Sequence, residues 1–246
     1  MLQVCLMGPL EVRRNGTVLA VPGGKTAEVL VRLALDAGVV VRAERLVEDL
    51  WSDHAVHTNP NTLQSKITRL RRALGQPSPV LSIDHGYALQ IDPAEVDALA
   101  VLRNTASAAR SLERNEDRSA RDLCATALSR FRGDILPAGG GVWAEGWRAQ
   151  LEQARITLLE TGFAARVRLG EVTELITPLE VAVEAHPFRE GLWELLITSL
   201  YRAGRQADAL ATYQRVRTVL GEQLGLEPGP RLRAIEQQVL IHAPAL

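Results

Sequence analysis

Cysteine is scarce in this chain. Its 246 residues hold two, Cys5 and Cys124, in apolar or helical settings. That speaks against a disulfide framework and for reduced, buried thiols in a cytosolic protein. Aromatic residues make up 4%, and lysine occurs twice against 26 arginines, a bias that fits GC-rich bacterial coding. No segment approaches ~18 uninterrupted apolar residues, the length a membrane helix needs. The N-terminus lacks a basic stretch followed by a long apolar run, so neither a signal peptide nor a membrane span is expected. Charge of one sign is lacking too. The formal net charge is −1, and residues 1–92 carry ten Lys/Arg against nine Asp/Glu. Any nucleic-acid surface must therefore be local. What is present, 46% hydrophobic and 23% charged residues, suits one large or two modest soluble domains with real cores.

The first 92 residues alternate short strands with helices. Leu2–Met7 is an apolar run turned by Gly8-Pro9. Leu10–Arg13 and Val18–Val21 flank Asn15-Gly16, a hairpin signal. Val29, Leu30, Leu33 and Ala34 predict a helix over Lys25–Ala37, stopped by Gly38. Val39–Val41 suffices for a bridging strand, and Ala43–Trp51 reads as a second helix. A loop over Ser52–Pro60 precedes a third helix, with Asn59 suited to cap it and Pro60 to its first turn. Val80–Ile83 and Tyr87–Ile91, joined at Asp84-His85-Gly86, predict a closing hairpin.

The third helix is the most informative stretch. Leu63, Ile67, Leu70 and Leu74 fall on one face. At about 100° per residue, Asn61, Ser65, Thr68, Arg69 and Arg72 fall opposite. Gln64 and Arg71 flank one side, and Thr62 and Lys66 the other. The helix carries four cations and no acid. Amides, hydroxyls and guanidinium groups are the means by which base edges and phosphates are read. An ordinary amphipathic surface helix would show the same periodicity, so the helix alone leaves both readings open.

Residues 93–246 read as helix almost throughout. Val96–Arg114 with Arg118–Phe131, Trp143–Leu169 with Val172–Ala185, and Phe188–Ala203 with Gln206–Leu224 form pairs, and Pro230–Ile241 closes the chain. Gly170 and Gly204 lie 34 apart, as do Leu175 and Ala209, Leu179 and Tyr213, and Ala182 and Val216. That period, with Trp193, Gly204, Ala209 and Tyr213 at their spacings, is the tetratricopeptide pattern. Ile197 occupies a position usually given to a small residue. Pro178 predicts a kink or a late helix start. The connector Arg132–Gly141, ending in three glycines, is expected to be mobile. Trp143, Trp147, Trp193, Tyr201 and Tyr213 are expected to pack rather than bind a ligand.

The sequences LVEDLW at 46–51, NTLQSKITRLRRALG at 61–75 and DHGYAL at 84–89 resemble the OmpR/PhoB-type winged-helix DNA-binding domain. HPFREGLW at 186–193, LYRAGRQADALATYQRVR at 200–217 and LGLEPGPRLRAIEQQVL at 224–240 resemble the bacterial transcriptional activation domain. Together they resemble the SARP family of actinobacterial activators over essentially the whole chain. The resemblance implies a mainly α protein with small β: a winged helix-turn-helix over 1–92, then an all-α TPR-like helical-repeat domain over 93–246. It implies an activator, of a secondary-metabolite gene cluster, that binds direct repeats near the promoter −35 region and recruits RNA polymerase through sigma region 4. Double-stranded promoter DNA, polymerase and a side-by-side homodimer are the implied partners. Residence in the cytoplasm, on the nucleoid, is also implied, as is a stand-alone member or the core of a larger one.

On that reading Asn61, Thr62, Gln64, Ser65, Lys66, Thr68, Arg69, Arg71 and Arg72 face DNA, with Arg69 and Arg72 on guanines or phosphates and Lys66 and Arg71 on backbone. His85, at the turn tip, reaches toward a minor groove. Tyr87 either joins it or packs under the hairpin. Ser52, Asp53, His54, Val56 and His57 are polymerase-contact candidates, with Trp51 a core anchor. Family members often open the first helix with Gly-Pro-(Lys/Arg)-Gln-Arg. Here it is Gly24-Lys25-Thr26-Ala27-Glu28, which leaves Lys25 as the phosphate contact.

Enzymatic patterns are weak. GGKT at 23–26 resembles the end of a P-loop, but Leu19 stands where the pattern needs glycine. His54-x-x-His57 lacks the further ligands of a metal site. Neither a catalytic residue, a metal nor a cofactor is expected. The rival reading is a TPR-type protein-interaction scaffold with a vestigial winged helix.

Overall fold

The computed structural model describes residues 1–51 and 60–242. It divides into two compact units. One comprises Met1–Ala106 with Thr126–Thr157, and the other Ser107–Ala125 with Leu158–Leu246.

In the first unit, β1 (Leu2–Cys5), β2 (Glu11–Arg14) and β3 (Thr17–Leu19) form an antiparallel meander. Val4 lies opposite Val12, and Val12 opposite Leu19. Asn15 and Gly16 turn β2 into β3 with φ of 50° and 85°, the left-handed pair a tight hairpin requires. α1 (Lys25–Leu35) buries Val29, Leu30, Leu33 and Ala34. It ends two residues short of the predicted Ala37 because Asp36 leaves the helical region, at φ −110° and ψ 37°. β4 (Val41–Arg42) leads into α2 (Ala43–Trp51), and α3 (Pro60–Leu74) packs on α1. β5 (Val80–Ile83) and β6 (Gly86–Leu89) complete a sheet ordered β4-β6-β5. The result is a winged helix-turn-helix.

Long-range polar contacts lock this unit. Asp97 opens α4 (Asp97–Glu113) and is buried; its carboxylate accepts the amides of Leu6 at 2.7 Å, Met7 at 3.1 Å and Ala98 at 2.8 Å. Burial pushes this carboxyl above the ordinary aspartate range, while the three amides and Arg132 oppose the shift. The glycine-ended connector, expected to be mobile, is instead fastened. Arg132 N donates to the Met7 carbonyl and Leu136 N to that of Leu6. Leu136 is fully buried, and the Arg148 guanidinium donates to the carbonyls of Ile135, Leu136 and Gly139. Glycine content signals backbone freedom, but a buried leucine with its carbonyls clamped removes it.

The second unit is helical repeats, built from parts of α4, α5 (Asp117–Leu128) and α6 (Val142–Arg168), then α7 (Ile176–Ala185), α8 (Glu190–Arg202), α9 (Gln206–Leu224) and α10 (Pro230–Leu240). The 34-residue period is written into its hydrogen bonds. At the end of α6, Leu169 N donates to Ala165 O, Gly170 N to Val167 O and Glu171 N to Arg166 O. At the end of α8 the same three bonds recur 34 residues on: Ala203 to Ser199, Gly204 to Tyr201 and Arg205 to Leu200. Gly170 and Gly204 have φ of 84° and 77°, the left-handed conformation that stops a helix. A 3-10 turn over Thr173–Leu175 precedes α7, so Pro178 sits in the first helical turn, where a missing N–H costs nothing. The late start, rather than the kink, is what forms. Trp193 is buried, with its indole N–H donating to the Pro187 carbonyl at 2.8 Å and Arg215 stacked over its ring. Ile197 is fully buried, so this divergent position fills the core with a larger side chain. Cys124 is buried against Gly162 and its thiol is pushed up to about 11 by burial, whereas Cys5 is half-exposed.

Candidate nucleic-acid interface

The apolar side of α3 is secured. Leu63, Ile67, Leu70 and Leu74 are at most 2% exposed. Helical geometry then fixes the other side, and Gln64, Ser65, Thr68, Arg69 and Arg72 are all exposed. Thr62, Lys66 and Arg71 are half-buried at the flanks. The Thr68 hydroxyl donates to the Gln64 carbonyl at 2.9 Å, which leaves its oxygen lone pairs outward. Asn61 lies on the helix, but its side chain falls outside the described residues, as do Asn59, Ser52, Asp53, His54, Val56 and His57.

The cations are not equivalent. Arg71 Nε donates to the Val80 carbonyl at 2.9 Å and its terminal nitrogen to Ser82 Oγ at 2.8 Å. It ties α3 to β5 and so sets the wing relative to the helix. No sequence spacing could have shown this, because the partners lie 9 and 11 residues away on another element. Lys25 is also occupied: it pairs with Glu28 at 2.8 Å and sits over the Trp51 ring. Trp51 is half-buried rather than a core residue. Lys66, Arg69 and Arg72 make no hydrogen bond or ion pair among the described residues.

The wing is a tight hairpin. Asp84 and His85 have φ of 42° and 62°, consecutive left-handed residues that close β5 onto β6 with a two-residue loop. Both are exposed, so the His85 imidazole stands at the tip. Gly86 is obligatory for a different reason: a Cβ there would lie 2.5 Å from the Val41 carbonyl oxygen. Tyr87 is half-buried, flanked in register by Val41 and Ser82.

Between α2, the start of α3 and the wing runs a groove of about 740 Å³. Val47, Leu63, Ile83 and Tyr87 contribute its apolar lining, and Glu44, Glu48 and Asp84 its acids. Those carboxylates repel phosphate, so the groove sets the cationic face of α3 apart from the wing tip. α2 is braced behind it. Asp49 is 5% exposed at its side chain, accepts a hydrogen bond from Arg32 Nε at 2.7 Å and forms an ion pair with Arg45 at 3.1 Å. This buried carboxylate, missed in the sequence, is the bracket between α1 and α2. The GGKT run opens α1 beside a cleft whose charged wall residue is Glu28, a poor cradle for a nucleotide. Among the described residues no group of three His, Cys, Asp or Glu side chains is placed to hold a metal ion, and no helix is long and apolar enough to cross a membrane.

Two sequence profiles match this chain. That of the C-terminal domain of transcriptional regulatory proteins covers residues 22–89, and that of the bacterial transcriptional activator domain covers 96–240. The regulatory protein DnrI of Streptomyces peucetius is 32% identical over 100% of this chain and 94% of its own length. The chain belongs to the SARP family. The regulatory protein AfsR of Streptomyces coelicolor is 34% identical over 98% of this chain, which spans 24% of AfsR. A solved structure of Mycobacterium tuberculosis EmbR, in complex with a low-affinity phosphopeptide, superposes with a TM-score of 0.92 at 27% identity, covering 100% of this chain and 66% of EmbR.

SARP membership makes this chain one of a family of transcriptional regulators. The boundary between the two profiles coincides with a short structural punctuation. Pro93–Glu95 form a 3-10 turn whose first amide partner is the Asp92 carboxylate, at 2.8 Å from Ala94 N. The distinctive ending of the activation domain also has a structural reason. Gly225 takes φ 67° to end α9, Pro230 begins α10, and Gly229 N donates to Glu190 at 2.7 Å where a Cβ would collide.

Proposed function

We propose that the chain is a sequence-specific DNA-binding transcriptional activator. Residues 1–92 hold the DNA-binding part and 93–246 the activation part. It binds short direct repeats near a promoter −35 element as side-by-side protomers. It recruits RNA polymerase, with sigma region 4 met by residues among Ser52, Asp53, His54, Val56 and His57, and it serves a biosynthetic gene cluster from the cytoplasmic nucleoid. One observation carries the reading: α3 buries Leu63, Ile67, Leu70 and Leu74 and holds Lys66, Arg69 and Arg72 unpaired among the described residues beside exposed Gln64, Ser65 and Thr68, with no acid on the helix. A helix that merely covered a core would gain a little from pairing those charges, as α1 and α2 do.

The test is selection of bound duplexes from a random pool by the full chain, followed by footprinting of the recovered sites. A recurrent direct repeat, with affinity falling steeply as salt rises, is the expected result. Arg69→Ala or Arg72→Ala should cost about 1–3 kcal/mol of discrimination where the residue reads a base. Recovery of no common sequence, with only salt-insensitive binding, would overturn the reading.

A further inference from the structure

Residues 1–92 contain ten cationic side chains, and the structure sorts them by whether anything inside the protein holds them. Arg13, Lys25, Arg32 and Arg45 are paired with carboxylates. Arg14 donates to the carbonyls of Gln76 and Pro77, and Arg71 to β5. Four remain with no hydrogen bond or ion pair among the described residues: Lys66, Arg69, Arg72 and Arg42. Three lie on α3. The fourth does not.

Arg42 is placed by the wing. β4 has two residues, and both are paired to β6: Val41 with Tyr87 and Arg42 with Gly86. The next amide, Ala43 N, donates to the His85 carbonyl at 3.0 Å. Arg42 is thus held directly across from the residue that follows the wing tip. The pairing is tight, because Gly86 has no Cβ and the Val41 carbonyl occupies the space one would fill. Val41 is buried and Arg42 exposed, so strand alternation turns the guanidinium away from the core. It is not among the side chains lining the acidic groove, although its neighbour Ala43 is. An arginine with five donors, kept free of carboxylates and fastened by backbone pairing to the wing, has the chemistry of a phosphate clamp.

We infer that Arg42 is a DNA-backbone contact of the wing edge, gripping a phosphate and carrying no base information. This rests on the DNA-binding reading above. It also moves the phosphate-binding role from Lys25 and Arg71, which are engaged inside the protein, to a residue that no sequence motif pointed to.

The experiment measures binding of the full chain to a selected duplex and to an unrelated duplex of mixed sequence, by fluorescence anisotropy over a salt series. The variants are Arg42→Ala, Arg42→Gln and Arg42→Lys. Loss of one phosphate contact should lower the slope of log K against log salt by about one on both duplexes. Over a fourfold span of salt, each contact contributes roughly a threefold change in affinity. Arg42→Lys should keep the wild-type slope, and base preference should be unchanged in all three. An unaltered slope in Arg42→Ala and Arg42→Gln, with selective binding intact, overturns the assignment and leaves the proposed function standing. Loss of discrimination between the duplexes in Arg42→Gln also overturns it, since the residue would then read bases. Wild-type protein that binds neither duplex overturns the proposed function itself.

Discussion

Helix α3 of the winged helix and the carboxylate clusters of the helical repeats use arginine in opposite ways. On α3, Arg69 and Arg72 stand exposed without a partner among the described residues. In the repeats, Arg166 and Arg121 share the Glu171 carboxylate, Arg205 pairs with Asp208, Arg217 with Glu227, and Arg215 lies on the Trp193 ring. Exposed ion pairs of this kind contribute little each, so the repeats do not depend on them for cohesion. The difference lies in what remains available to a ligand. A guanidinium already answered by a carboxylate must break that pair to meet a phosphate, whereas those of α3 need break nothing.

That contrast can be broken first at its structural end. Trp193→Ala removes the largest fully buried side chain and the indole bond to Pro187, and should cost about 3–5 kcal/mol of stability in a urea titration. If the repeats serve as a separate part, binding to a short duplex should outlast this loss. The winged helix offers a sharper test through two adjacent arginines. Arg72→Ala should impair discrimination between duplexes and leave the melting temperature alone. Arg71→Ala should do the reverse, losing about 1 kcal/mol of stability with its bonds to β5 while base preference persists. Equal effects of the two in both assays would erase the distinction between held and free cations. The smallest effect concerns pH. Hydrogen bonding to Arg166, aided by Arg121, holds the Glu171 carboxyl below the usual glutamate value. A depressed folded-state value stabilises above the unfolded value near 4.5 and loses that contribution as pH falls through the folded one. Glu171→Gln should therefore flatten the acid side of the stability curve and change little at neutral pH.

The elements that could be read directly are those whose signal is local. α2 and α9 span the residues that periodicity predicts, Ala43–Trp51 and Gln206–Leu224. Asn15-Gly16 turns where a hairpin was expected, because left-handed φ is a property of those two residues themselves. The 34-residue period likewise reached from sequence to hydrogen bonds without loss. The connector ending in Gly139-Gly140-Gly141 shows the limit. Nothing within ten residues of Leu136 announces that the Leu6 carbonyl will accept its amide. Asp97 is hidden in the same way, since its amide donors Leu6 and Met7 lie 91 and 90 residues earlier. The site was equally divided: the outward face of α3 was legible as a group, while the separation of Arg71 from Arg72 was not.

The sequence by itself determined the two helical faces of α3, the wing turn and the repeat length, because each depends on the conformational preferences of neighbouring residues. Tertiary structure alone decided which cations are free. Whether a guanidinium is available depends on which carboxylate or carbonyl comes within about 3 Å, and that is set by chain segments brought together only by burial of the core. Arg71 lost its freedom in this way, Lys25 pairs with Glu28 one turn along its own helix and meets Trp51 only through the fold, and Arg42 stays free among the described residues.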